Sequence, residues 1–256
     1  MAWLRLILRD FAEEMAQKVE ERKLEKEVSR DLDPTYWMPG NPATFATAGE
    51  KPWKLILARH IPTSSGSTVY GLDMQFFLKS ISPRGHPVDI DNLCEPVFSV
   101  LINQLQWFNG KRNNIQWFCA SKTQSPDSGL KLTLFTKPSI EINLGEVKLT
   151  PVFEQVYTGN MPNSASDTVF ARWVDKHTTG HLSLANVTVL LRFGDTRINL
   201  GDIATGKIKP ILDGLYPLLG GTCRAPEDWK IQTLAVEKGT RNLTPNSVSV
   251  TVWEAA

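Results

Sequence analysis

The sequence predicts a mixed α/β (α+β) fold made of two related mixed-sheet domains in tandem, preceded by an N-terminal helix. Three observations lead there. Strand-like segments with embedded helices fill residues 51–256, their order occurs twice, and two stretches of letters recur at nearly one spacing. The 41% hydrophobic and 21% charged content belongs to a globular chain and excludes wholesale disorder or collagen-like repeats. At roughly 100–150 residues per domain, 256 residues accommodate one large domain or two small ones.

Along the chain, Leu4, Leu8, Phe11, Met15 and Val19 recur three or four apart, an apolar stripe that predicts a helix over residues 1–33. It continues into the mixed charges of Glu20–Glu27 and stops at Pro34. Such a helix either docks on its own domain or protrudes to bind a protein partner. Its polar face balances acids and bases, which disfavours a membrane surface. Residues 34–50 are poor in charge and rich in turn formers, so they read as a linker. Beyond them, Trp53–Ala58 and Asp73–Ser80 alternate as strands, Asn92–Leu105 is helical, and Ile115–Lys122 and Leu130–Phe135 are strands. The order then returns: strand Val187–Phe193, a helix within Lys207–Leu219, and strands Ile231–Lys238 and Ser247–Trp253.

The letters recur as well. Ile115-Gln116-Trp117-Phe118-Cys119-Ala120-Ser121-Lys122 aligns with Ile231-Gln232-Thr233-Leu234-Ala235-Val236-Glu237-Lys238, 116 residues on. Glu95-Pro96-Val97-Phe98-Ser99-Val100-Leu101 aligns with Lys209-Pro210-Ile211-Leu212-Asp213-Gly214-Leu215, 114 residues on. Two ordered matches with a shared element pattern point to an internal duplication, with copies at 51–137 and 138–256.

The strongest chemical signal is Pro87-Val88-Asp89-Ile90-Asp91-Asn92-Leu93, at a junction leading into a helix. In an extended segment residues two apart face the same way, so Asp89 and Asp91 would present two carboxylates together. Hard oxygen ligands of that kind suit Mg²⁺. The competing reading is a helix N-cap supplied by Asp91 or Asn92, which accounts for one residue and not for the pair.

With its helix, this stretch resembles the RusA family of Holliday-junction resolvases, whose members carry Asp-x-Asp-Asn-Leu-x-Lys, then a pair of acids near the next strand and a later Lys. The resemblance implies a small mixed α/β domain that dimerises and hydrolyses phosphodiesters at four-way DNA junctions with Mg²⁺. Asp89, Asp91 and Asn92 match, but Glu95 replaces the motif Lys, and the acidic pair falls on Lys111-Arg112; Lys122 matches the terminal Lys. The second copy departs oppositely. Lys209 supplies the motif Lys, Ile203 and Thr205 replace the two Asp, Glu227-Asp228 keeps the later pair, and Lys238 matches the terminal Lys. Neither copy has the full carboxylate set that such chemistry requires. Two outcomes follow: catalysis is lost, or one hybrid centre combines Asp89 and Asp91 with Asp228, with Lys209 beside them. The alternative class is a structural or adaptor subunit docked through the N-terminal helix.

Net charge is +1, from 28 Lys+Arg against 27 Asp+Glu, so any affinity for branched or structured nucleic acid, DNA before RNA, must be local. Asn92, Lys111, Arg112, Lys122, Arg197, Lys207 and Lys238 are the candidates, with Trp107 and Trp117 either stacking partners or core. Arg112 in place of an acid would turn a metal cleft into a phosphate-holding one. Gly201-Asp202-Ile203-Ala204-Thr205-Gly206-Lys207-Ile208 has the core of a phosphate-binding loop but lacks its Ser/Thr, and reads as a turn before a helix. His177 and His181 read as loop histidines. Three scattered cysteines and no run of roughly 18 apolar residues fit a reduced cytoplasmic protein with no membrane span.

Overall fold

The recurring octamers form the two central strands of the protein. In β3 (Trp117–Gln124), Phe118, Ala120 and Lys122 share one face; in β9 (Ile231–Lys238), Leu234, Val236 and Lys238 do so in turn. The computed structural model describes residues 33–64, 66, 68–80, 88–138, 150–164, 167–178 and 186–254. Thr35–Ala256 is one compact unit and Met1–Pro34 another; the helix expected over 1–33 lies outside the described residues except for Asp33.

Eight strands form one mixed sheet in the order β1-β4-β2-β3-β9-β6-β10-β5. The others are β1 (Thr35–Pro39), β2 (Gly71–Leu78), β4 (Gly129–Phe135), β5 (Phe153–Thr158), β6 (Val187–Phe193) and β10 (Ser247–Glu254). From either edge the pattern is the same: antiparallel, antiparallel, then parallel. The halves meet where β3 and β9 run antiparallel, with Cys119 opposite Ala235. Those two residues lie at the 116-residue spacing of the repeat, so at the seam a position faces its own counterpart. The register repeats too, Phe76 standing opposite Lys122 and Phe193 opposite Lys238.

The helices occupy corresponding places in the two halves. α1 (Glu50–His60) joins β1 to β2 and α3 (Thr168–His177) joins β5 to β6. Between β2 and β3 lies α2 (Ile90–Ser99), continued by a π-helical turn over Val100–Gln104. Between β6 and β9 lie α4 (Ile208–Asp213) and α5 (Tyr216–Leu219). A small hairpin, β7 (Gly221–Thr222) with β8 (Ala225–Pro226), precedes β9. Trp53, Leu57, Leu93, Phe98, Phe170 and Ile211 from these helices pack with one face of the sheet in a single core. Pro96 has no N–H to give the Asn92 carbonyl four residues back, and the Phe45 N–H donates to that carbonyl at 2.9 Å.

Three local expectations are corrected. Trp53–Ala58 is helical, because the buried residues are Trp53, Leu57 and Ile61, four apart, whereas Leu55 is 62% exposed. Residues 35–39, within the segment read as a linker, form β1 on the edge of the sheet against β4. The helix expected in Lys207–Leu219 is two short ones, separated at Gly214-Leu215. The other predicted strands and the helix after Asp89 fall where periodicity placed them, within two residues at most ends, whereas β5, α3 and the β7–β8 hairpin had no counterpart among the predicted elements.

Candidate metal centre

Asp89 occupies the N-cap position of α2 and Asp91 its first turn. They converge through the start of a helix and not through strand alternation. Asp89 is the capping residue in place of the expected Asp91 or Asn92, and its side chain makes no bond to the helix N–H groups. Its Oδ2 instead accepts a hydrogen bond from Asn92 Nδ2 at 3.0 Å. Asp228 arrives from the opposite half of the sheet, in a single 3₁₀ turn (Asp228–Lys230) just ahead of β9. One carboxylate oxygen from each of Asp89, Asp91 and Asp228 lies within 4.8 Å of the other two. Among the described residues this is the one group of three or more acidic, His or Cys side chains so placed.

Each carboxylate is held from behind. Lys122, buried at the end of β3, donates from Nζ to the Val88 carbonyl at 2.5 Å and the Trp229 carbonyl at 2.6 Å. These carbonyls adjoin Asp89 and Asp228, so one lysine clips together the two segments that supply the ligands. Lys209 on α4 brings its ammonium to 3.2 Å from Asp91, 3.1 Å from Asp213 and 3.4 Å from Asp228. Asp213, missed in the sequence, sits one helical turn beyond Lys209; that i,i+4 spacing was its legible signal.

The electrostatics are those of carboxylates crowded together out of water around one ammonium. Asp91 is 0% exposed; the Lys209 ammonium 3.2 Å from its Oδ2 is its ion-pair partner, and no other group donates to either oxygen. Burial pushes its carboxyl up; Lys209 opposes that rise while Asp89 and Asp213 add to it. Burial likewise raises Asp228 to about 7, with Asp89 adding and Lys209 opposing. Burial works against the charge on Lys209, but Asp91, Asp228 and Asp213 outweigh it and hold the ammonium above its ordinary range. Burial lowers Lys122 to about 8. The donor set fits a hard divalent ion. All ligands are carboxylate oxygens, and no two of these oxygens are more than 4.8 Å apart, so an ion at roughly 2.0–2.6 Å from each requires small side-chain rotations.

The corresponding place in the other half is built differently. Arg112 stands at the counterpart of Asp228 and Glu95 at the counterpart of Lys209, and they form a 2.7 Å ion pair. Arg112 also donates from Nη1 to the Gly201 carbonyl at 2.6 Å. Gly201 is required there, since a Cβ would lie 2.9 Å from that of Arg112. Ile203, at the counterpart of Asp89, is fully buried, and Thr205, at that of Asp91, donates to Asp202 at 2.5 Å. The lysine clip is kept: Lys238 Nζ donates to the Asn113 carbonyl at 2.5 Å and the Ile198 carbonyl at 2.9 Å.

These contacts relocate several candidate nucleic-acid residues. Lys122 and Lys238 are buried clips and Arg112 is committed to Glu95 and Gly201, so none of the three stands free for a phosphate. Lys207 donates to Asn163 and Arg197 pairs with Asp195, while Lys111 is exposed. Trp107 and Trp117 are buried, with indole N–H groups donating to the Pro62 and Lys137 carbonyls at 2.9 Å each, so both are core and not stacking platforms. The Gly201–Lys207 stretch is a turn before the six-residue α4. His177 Nδ1 is 2.7 Å from the Trp173 carbonyl, and His181 lies outside the described residues. The three cysteines are free thiols. Among the described residues no helix is long and apolar enough to cross a membrane. Comparison with protein-family models and with curated proteins finds no match.

Proposed function

We propose that the chain is a tandem pair of RusA-like domains fused into a pseudo-dimer, and that it binds branched or structured nucleic acid, DNA before RNA. On this reading it hydrolyses phosphodiesters at one composite Mg²⁺-dependent centre. The observation that carries it is the meeting of Asp89 and Asp91 from one half with Asp228 and Lys209 from the other, around a fully buried carboxylate whose one close cation is Lys209. The sheet order common to both edges and the matched registers support the pseudo-dimer.

A divalent cation at this centre offsets charge on the scissile phosphate and lowers the pKa of a bound water. Asp89, Asp91 and Asp228 would hold it. Lys209 neutralises the cluster in the meantime and, once displaced, lies within reach of a phosphate oxygen. Lys122 is a positioning residue, because it fixes the backbone beside two of the ligands. Exposed Lys111 and the Asn92 amide are the side chains left to meet the nucleic acid. The test is cleavage of a four-way DNA junction with Mg²⁺. The wild type cuts and both Asp91→Asn and Asp228→Asn are inert; equal cutting by all three overturns the composite centre.

A further inference from the structure

On the reading just given, we propose that each chain carries a single cutting centre and makes one nick per encounter, in place of the paired cuts of a symmetric dimer. The ground is the second half-site. A twofold arrangement of two working centres needs the ligand set twice, and here it is present once. The counterpart of Asp228 is a guanidinium, that of Asp89 is a buried isoleucine, and that of Asp91 is a threonine bonded to Asp202.

The replacement is coordinated and not a scatter of losses. Where the first centre sets Lys209 against Asp228, the second sets Glu95 against Arg112, so the ion pair persists with its charges exchanged. Arg112 fills the space between Glu95 and the Gly201 backbone, so a guanidinium stands where the first centre has the Asp228 carboxylate. Lys238 keeps the same clip as Lys122, joining the carbonyl beside Arg112 to the facing loop. The second half-site therefore locks the two halves together and does no chemistry. At the working centre one water oxygen bonds to phosphorus as one P–O ester bond breaks. The water's proton passes to solvent, the departing oxygen takes one up, and nothing is oxidised or reduced.

Two measurements test this. Titration with Mn²⁺, read by the paramagnetic resonance of the free ion, gives one tightly bound ion per chain, none in Asp228→Asn, and still one in Arg112→Ala. A supercoiled plasmid extruding a cruciform, incubated with limiting protein and Mg²⁺, becomes nicked circle, and linear plasmid follows only by separate, later nicking. Two ions per chain, or linear product formed in the same encounter as the nick, overturns the single-centre proposal while leaving the nuclease reading intact. One bound ion with no nicking overturns the nuclease reading and the proposal with it. No bound ion overturns the metal centre itself.

Discussion

The Asp89–Asp91–Asp228 cluster and the Glu95–Arg112 pair occupy corresponding places in the two halves of one sheet, and they resolve the same geometric problem in opposite ways. Both are crossed by an ion pair between the helix after the central parallel strand and the turn before the next. Both are clipped by a buried lysine at the end of β3 or β9. One gathers three carboxylates on a single ammonium, whereas the other bonds its guanidinium to one carboxylate and a carbonyl, leaving only Glu95 Oε2 over. Backbone clips are thus separable from the charges they position. A half-site can surrender its chemistry and keep its structural role, because an exchanged ion pair fills the same gap.

The comparison breaks most visibly at the ligands. Asp91→Asn should lower junction cleavage at least about 1,000-fold, roughly 4 kcal/mol of transition-state stabilisation. Thr205→Ala, at the corresponding position, should leave it unchanged. Next come the cations. Arg112→Ala strands the buried Glu95, and Lys209→Ala strands three acids, each costing about 3 kcal/mol of stability by denaturant unfolding. Added Mg²⁺ should restore the Lys209→Ala protein and leave the Arg112→Ala protein unrestored.

The third difference is in pH. Asp228 is raised to about 7 from an ordinary 3.8, so between those values the folded protein holds a proton that the unfolded chain has lost. Without divalent ions, stability should therefore fall as pH rises from about 4 to about 7, by about 4 kcal/mol in all, and flatten above. Asp228→Asn should reduce that slope to the part that buried Asp91 supplies, while Thr205→Ala should keep it whole. Smallest is Lys111→Ala: exposed and outside the ion pairs, it should weaken nucleic-acid binding two- to threefold, lower the salt slope by about one, and leave ion binding intact.

Much of this was legible in the letters. The octamers ending in Lys122 and Lys238 marked both central strands, because strand-like letters recur there at a 116-residue spacing. Asp89, Asp91 and Asp228 could be picked out by residue type and their meeting framed as one of two outcomes; choosing between the two needs the fold, since it depends on the turn before β9 crossing to the opposite half. The same crossing hid the role of Arg112, which looked free and is spoken for. Trp53–Ala58 misled because six residues of mixed alternation satisfy both periods, and only burial at Ile61 extends the helical one. The edge strand β1 carries too little pattern of its own: Met38 is its one fully buried side chain, and its pairing with β4 comes from more than ninety residues away. In the sequence the terminal lysines offer only their charge; their burial and carbonyl partners appear once the strands are assembled.

Diffraction from crystals soaked in Mn²⁺, recorded near the manganese absorption edge, tests the composite centre most directly. One anomalous peak among the carboxylates of Asp89, Asp91 and Asp228 is the expected result, with the Lys209 ammonium displaced from Asp91. A peak beside Glu95 and Asp202, or none at the three aspartates under saturating ion, would contradict it.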